Sequence, residues 1–248
     1  MNTYPGGWPP PQKQQSNQRL LVVLMPFLVL VLVAAAVGIG LLARGLVTST
    51  VTGTATAMSD GTTPENVLAD GAVRVGDDDA EVTVRVVMDL QCPACQKFEE
   101  ANGSVLADVV RDGSAAVEYS VITFLDSMSE TEYSSRAGNA SFCVANSGLD
   151  NYQSWLSEMF VQQPVEGGEG LPDSTLIDIA ESAGYTDSAV AECIISRQFD
   201  SYLRTKTDQV LRSGVTGTPT VYVNGAEVTD RRALMAPGGL ASVIAAAR

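Results

Sequence analysis

Two cysteines three positions apart, in Cys92-Pro93-Ala94-Cys95, stand where an apolar strand pattern gives way to a helical one. Two thiols at this spacing can close a small disulfide ring. At a helix start, the first also faces unpaired backbone N–H groups and the positive end of the helix, which favour its thiolate. A stabilised thiolate beside a second thiol is the requirement for thiol–disulfide exchange. The pattern predicts Cys92 as the exposed, low-pKa nucleophile, Cys95 as its buried partner, and Pro93 and Ala94 as the spacer between them.

Composition removes the main competing chemistries. The chain has no histidine, so it holds no Ser-His-Asp or Cys-His arrangement and no His-ligated metal. A four-cysteine zinc site would need Cys92, Cys95, Cys143 and Cys193, but the last two lack the short paired spacing of a zinc ribbon, so no metal is expected. All 29 acidic residues lie beyond position 43, where 13 Lys and Arg oppose them for a net charge of −16. Such a domain has no electrostatic footprint for nucleic acid or for an anionic membrane surface.

The elements that position the motif can be read from periodicity. Val82 to Met88 is β-branched and mostly apolar, and reads as a buried strand. Gln96 to Arg111 carries Phe98, Val105, Leu106, Val109 and Val110 among polar residues, an amphipathic helix weakened at Asn102-Gly103. Short strands are predicted at Ala72–Val75 and Val117–Phe124, with Gly76-Asp77-Asp78-Asp79 as a solvated turn. Residues 130–212 are helical in pattern, broken at Gly148, Gly167-Gly168, Gly170, Pro172 and Gly184. Asn224-Gly225 between Thr218–Val223 and Ala226–Thr229 is a hairpin signal, and a last helix is expected from about Leu240 to Ala247.

Leu20 to Ala43 is apolar and uncharged. Its 24 residues reach about 36 Å as a helix, enough to cross a hydrocarbon core of roughly 30 Å. Lys13 and Arg19 precede it and Arg44 follows, which places residues 1–19 in the cytoplasm. A cleaved signal peptide, with Ala34-Ala35-Ala36 near its end, is the competing reading. The expected organisation is a cytoplasmic tail (1–19), a single-pass signal anchor (20–43), an extracytoplasmic linker (44–66) and one domain (67–248) with a helical insertion at about 129–213. In that compartment disulfides persist.

The strand, Cys92-Pro93-Ala94-Cys95 and helix, the helical insertion, and the later Gly217-Thr218-Pro219-Thr220-Val221-Tyr222-Val223-Asn224-Gly225 together resemble the DsbA-type thioredoxin-fold oxidoreductases, most closely the exported or membrane-anchored actinobacterial members. The resemblance covers about Ala72 to Ala247. It implies an α/β thioredoxin fold with a helical insertion, and a cis bond at Thr218–Pro219 whose free backbone groups dock a substrate strand beside Cys92. It also implies exported cysteine-containing proteins as substrates, a quinone-linked integral membrane thiol oxidase as re-oxidant, and no cofactor. Many thioredoxin-fold proteins bury a carboxylate six residues before the first active-site cysteine; that position is Val86 here. Asp89 is a substitute nearer the motif, although strand parity puts it on the face opposite Val86 and Met88, as a solvated carboxylate.

Cys143 and Cys193 lie in apolar helical patterns. A structural disulfide within the insertion is preferred over a second redox pair because neither cysteine has a CxxC partner or a helix-start position; two free buried thiols are the remaining option. The functional expectation is an extracytoplasmic enzyme forming disulfides in exported proteins. Its alternatives are a reductase or isomerase kept reduced by a membrane electron carrier, and a non-catalytic binding or chaperone module of the same fold.

Overall fold

The computed structural model of the protein describes residues 62–248. The predicted tail, the apolar span and most of the linker lie outside the described residues. Among the described residues no helix is long and apolar enough to cross a membrane.

Strand β2, Val82–Met88, is the centre of a five-stranded sheet. It pairs in parallel with β3, Ala115–Val121, and antiparallel with β4, Thr220–Val223. Strands β1, Val73–Val75, and β5, Ala226–Glu227, lie at the edges, giving the order β1-β3-β2-β4-β5. The parallel pair requires a crossover, which is helix α1, Pro93–Arg111. The CxxC motif therefore sits at the end of the central strand and the start of the crossover helix.

The sheet has two unlike faces. Val84, Val86 and Met88 register with Val117, Tyr119 and Val121 to form the buried face under α1. On the other face Arg85 is ion-paired with Asp70 and Glu118, and Arg74 with Glu118. A strand read as wholly buried is thus continuously apolar on one side only; the other carries Thr83 and Arg85 before Val87, which is buried with Ile122 and Val215.

Helix α1 runs through Asn102-Gly103 without a break. Asn102 is buried and fully engaged: its Nδ2 donates to Leu234 O at 2.8 Å and its Oδ1 accepts from Leu240 N at 2.9 Å. It fastens helices α7, Arg231–Met235, and α8, Leu240–Ala246, to α1; α7 has no counterpart in the sequence reading. The hairpin forms as predicted, with φ of 48° at Asn224 and 79° at Gly225, the left-handed pair of a two-residue turn.

The insertion contributes α2 (Tyr133–Ser147), α3 (Tyr152–Val161), α4 (Asp173–Ser182), α5 (Ser188–Ser196) and α6 (Asp200–Arg212). Cys143 of α2 and Cys193 of α5 form a disulfide with Cα atoms 5.8 Å apart. That bond removes two of the four ligands a zinc site would have needed. Tyr152 packs on both Trp155 and Tyr119, joining the insertion to the sheet.

Candidate active site

Where β2 ends, the chain turns through Asp89-Leu90-Gln91, and the Cys92 N–H donates to Asp89 O at 3.0 Å. Cys92 is the N-cap of α1 with an extended backbone, and Pro93 takes the first helical position, where its missing N–H costs nothing. The Cys92 carbonyl accepts from Cys95 N and Gln96 N, and from Gln163 Nε2 at 3.1 Å. Gln163 also donates to Leu90 O, and Gln96 Nε2 to Phe160 O, so the end of α3 is clamped to the active-site turn.

Both cysteines of the motif are free thiols. Cys92 is 7 % exposed and Cys95 0 %. Cys92 is thus less open than expected, although it lines a surface groove and Cys95 does not. The Cys92 pKa is lowered to about 6, first by the hydrogen bond from the Cys95 thiol, then by Thr218 and the Cys95 and Ala94 backbone N–H groups, against the opposing effect of burial. Burial pushes Cys95 the other way, well above an ordinary thiol. The two sulfurs are thus unlike, one favoured as a thiolate at the groove and the other held as a buried protonated thiol.

The Thr218–Pro219 bond is cis, and the Cys92 thiol donates to Thr218 O at 3.4 Å. The Thr218 hydroxyl is buried without a partner, so it is available to either sulfur when one carries charge. Cys92, Thr218, Phe124, Leu125, Met235 and Pro237 help line a groove of about 1040 Å³ whose wall is mostly apolar.

Asp89 corrects the sequence reading. It is fully buried, not solvated. Parity fails because β2 ends at Met88, and three donors draw the carboxylate inward: Gln91 N at 2.8 Å, Ser134 Oγ at 2.7 Å and Leu125 N at 2.8 Å. The Gln91 bond is an i to i+2 Asx turn, a local signal that the Asp-x-Gln spacing carried. Asp89 therefore ties the active-site turn to the groove-lining loop and to α2. Burial first, and in smaller part the nearby Cys92 charge, raises its pKa to about 6 against those three donors.

In Asp89→Asn an amide donor must face one of those N–H groups, and a stability loss of about 1–3 kcal/mol is expected in denaturant melts. Removing the charge beside Cys92 should move its titration midpoint below about 6, as read by thiolate ultraviolet absorbance. An unchanged or raised midpoint would show that the carboxylate does not bear on the sulfur.

A sequence model of the thioredoxin family matches residues 69–236. The serine/threonine-protein kinase PknE of Mycobacterium tuberculosis is 32 % identical over 165 residues, which are 63 % of this chain and 29 % of the kinase. The chain thus spans less than a third of that relative. Among solved structures, the reduced disulfide bond oxidoreductase DsbG of M. tuberculosis has a TM-score of 0.61 at 31 % identity, covering 70 % of this chain and 85 % of that one. Reduced DsbA of the same organism has a TM-score of 0.58 at 31 % identity, covering 71 % and 99 %.

Proposed function

The chain belongs to the thioredoxin family, in its DsbA-like group of thiol:disulfide oxidoreductases, and on that premise we propose that it forms disulfides in exported proteins by exchange at Cys92 and Cys95. The observation that carries this reading is the division of the pair. Cys92 is held near a pKa of about 6 at the groove wall, and Cys95 is buried behind it as a high-pKa thiol.

Starting from the Cys92–Cys95 disulfide, a substrate thiolate in the groove attacks the Cys92 sulfur. The Cys92–Cys95 bond breaks, and Cys95 leaves with the electron pair and takes up a proton. The second substrate thiolate then attacks the substrate sulfur of the mixed disulfide, and Cys92 leaves as its stabilised thiolate. Two electrons have passed from substrate dithiol to enzyme. A low pKa makes Cys92 a good leaving group and favours the reduced enzyme, so its disulfide is a strong oxidant. Thr218, which precedes the cis Pro219, borders the groove at Cys92, and the Thr218 backbone pairs with the incoming strand in this reading.

Turnover requires re-oxidation, for which family resemblance suggests a quinone-linked integral membrane thiol oxidase. Residues 20–43 serve as a single-pass anchor with residues 1–19 in the cytoplasm, and 44–66 link it to the catalytic domain (67–248) outside the cell membrane. Cys143 and Cys193 act as a structural bridge.

The equilibrium potential of the Cys92–Cys95 pair against glutathione tests the direction of electron flow. An oxidase should lie above about −200 mV, and a value near about −270 mV, where thioredoxin sits, would reverse the assignment to a reductase. Failure to oxidise any reduced model peptide would leave the binding or chaperone module instead.

A further inference from the structure

A second cavity, of about 370 Å³, opens in the seam between α1 and α3, lined by Gln96, Glu99, Glu100, Ser157, Phe160 and Val161. Glu100 lines both this cavity and the active-site groove, so the two adjoin across one turn of α1. Glu99 is 9 % exposed, and its Oε2 is sealed from solvent without a hydrogen-bond partner. Burial alone pushes its carboxyl up to about 7, with no cation opposing it. An apolar side chain there would avoid the desolvation cost entirely.

The surrounding sequence keeps room for that carboxylate. A Cβ at position 103 would collide with Glu99 Oε1, so Gly103 leaves the space the side chain occupies. On the facing helix, Phe160 lines the cavity and Val161 stands 72 % exposed at its lip. An apolar wall leading to two carboxylates fits an amphipathic cation, with its aliphatic stem on Phe160 and Val161 and its charged head at Glu99 and Glu100.

We infer that the α1–α3 seam is a subsite for a lysine or arginine side chain of the polypeptide docked at Cys92. The inference rests on the proposed reading that the groove holds a cysteine-containing polypeptide. Its register follows from geometry. Glu99 lies seven residues from Cys92 along α1, roughly 10.5 Å at helical rise. An extended chain advances about 3.3 Å per residue, so the basic residue stands about three positions from the reacting cysteine.

The test uses the full-length protein with Cys92→Ser and Cys95→Ser, titrated calorimetrically with peptides in which serine replaces the cysteine. One lysine is scanned along each peptide, and norleucine at the same position is the control. Lysine about three positions away should bind at least tenfold more tightly than norleucine, and lysine at the far peptide end should bind equally. Glu99→Gln should bring the favoured ratio to within twofold. Ser157→Lys, which places an ammonium of the protein's own in the seam, should do the same if Glu99→Gln fails to fold.

Absence of any lysine-dependent binding would overturn the subsite. A preference equal at every position would reduce it to attraction by an acidic protein. Persistence of the preference in a folded Glu99→Gln or Ser157→Lys variant would also sink it. Peptide oxidation by the parent protein is scored separately: a positional lysine preference without oxidation keeps the subsite and discards the oxidase, and oxidation without preference does the reverse.

Discussion

Cys92→Ala should abolish disulfide exchange, whereas Cys95→Ala should still attack and then stall as a mixed disulfide with its substrate. The asymmetry comes from the environments of the two sulfurs. Cys92 lines the groove and ionises at about 6; Cys95 is fully buried and stays protonated at neutral pH. Alkylation of the reduced parent should therefore modify Cys92 first, half-maximally near pH 6. The Cys95 thiol is the largest cause of the lowered Cys92 pKa, so in Cys95→Ala the midpoint should rise toward that of an ordinary thiol.

The same shift makes the stability of the reduced protein pH-dependent. Cys92 falls from 9.0 to about 6 on folding, so its thiolate stabilises the reduced fold fully above about 9 and loses that effect as pH drops through about 6. The disulfide form has no such ionisation. The melting temperature of the reduced protein, relative to the oxidised, should rise from pH 5 to pH 8. A flat difference, or faster alkylation of Cys95, would reverse the assigned roles.

Cys143→Ala with Cys193→Ala should lower stability strongly and spare exchange. The bridge closes a separation of 50 residues, for which chain entropy predicts about 4 kcal/mol. In a domain of this size that corresponds to a fall of about 8–16 °C in melting temperature. Below that temperature, oxidation of a reduced peptide should continue, because Cys92, Cys95 and the Thr218 segment lie on elements the bridge does not join. Mass mapping under graded dithiothreitol should show Cys92–Cys95 opening well before Cys143–Cys193. A folded double variant that no longer exchanges thiols would instead place these cysteines in a redox relay.

Much of the site was legible because its chemistry is local. The strand-to-helix switch around Cys92-Pro93-Ala94-Cys95 sets the N-cap position by sequence alone, and the Pro at the first helical position fits nothing else as well. The cis Thr218–Pro219 bond came through family likeness rather than from the residues themselves. The Asn224-Gly225 turn needed only left-handed backbone at two adjacent positions. The Cys143–Cys193 bridge is the reading the sequence prefers and it forms, but the preference rests on compartment and on the lack of a CxxC partner, since two apolar helices carry no register toward each other until packed.

Asp89 and Glu99 show where local rules end. Strand parity sent Asp89 to solvent, but the strand stops one residue earlier, and the donors that hold the carboxylate inside come from Gln91, Leu125 and Ser134. Two of those three are remote in sequence. Glu99 shares its face of α1 with Cys95, Phe98, Asn102 and Leu106, all buried at helical spacing. The sequence by itself thus determined where the two cysteines of the motif sit, the helix that carries them and, through Phe98, Leu106 and Val109, much of the face that helix buries. The tertiary structure alone decided what meets that face: Leu234 and Leu240 satisfy Asn102, while α3 brings no donor to Glu99 Oε2. Periodicity fixes which way a side chain points, but its charge state depends on the groups that distant segments bring within hydrogen-bonding reach.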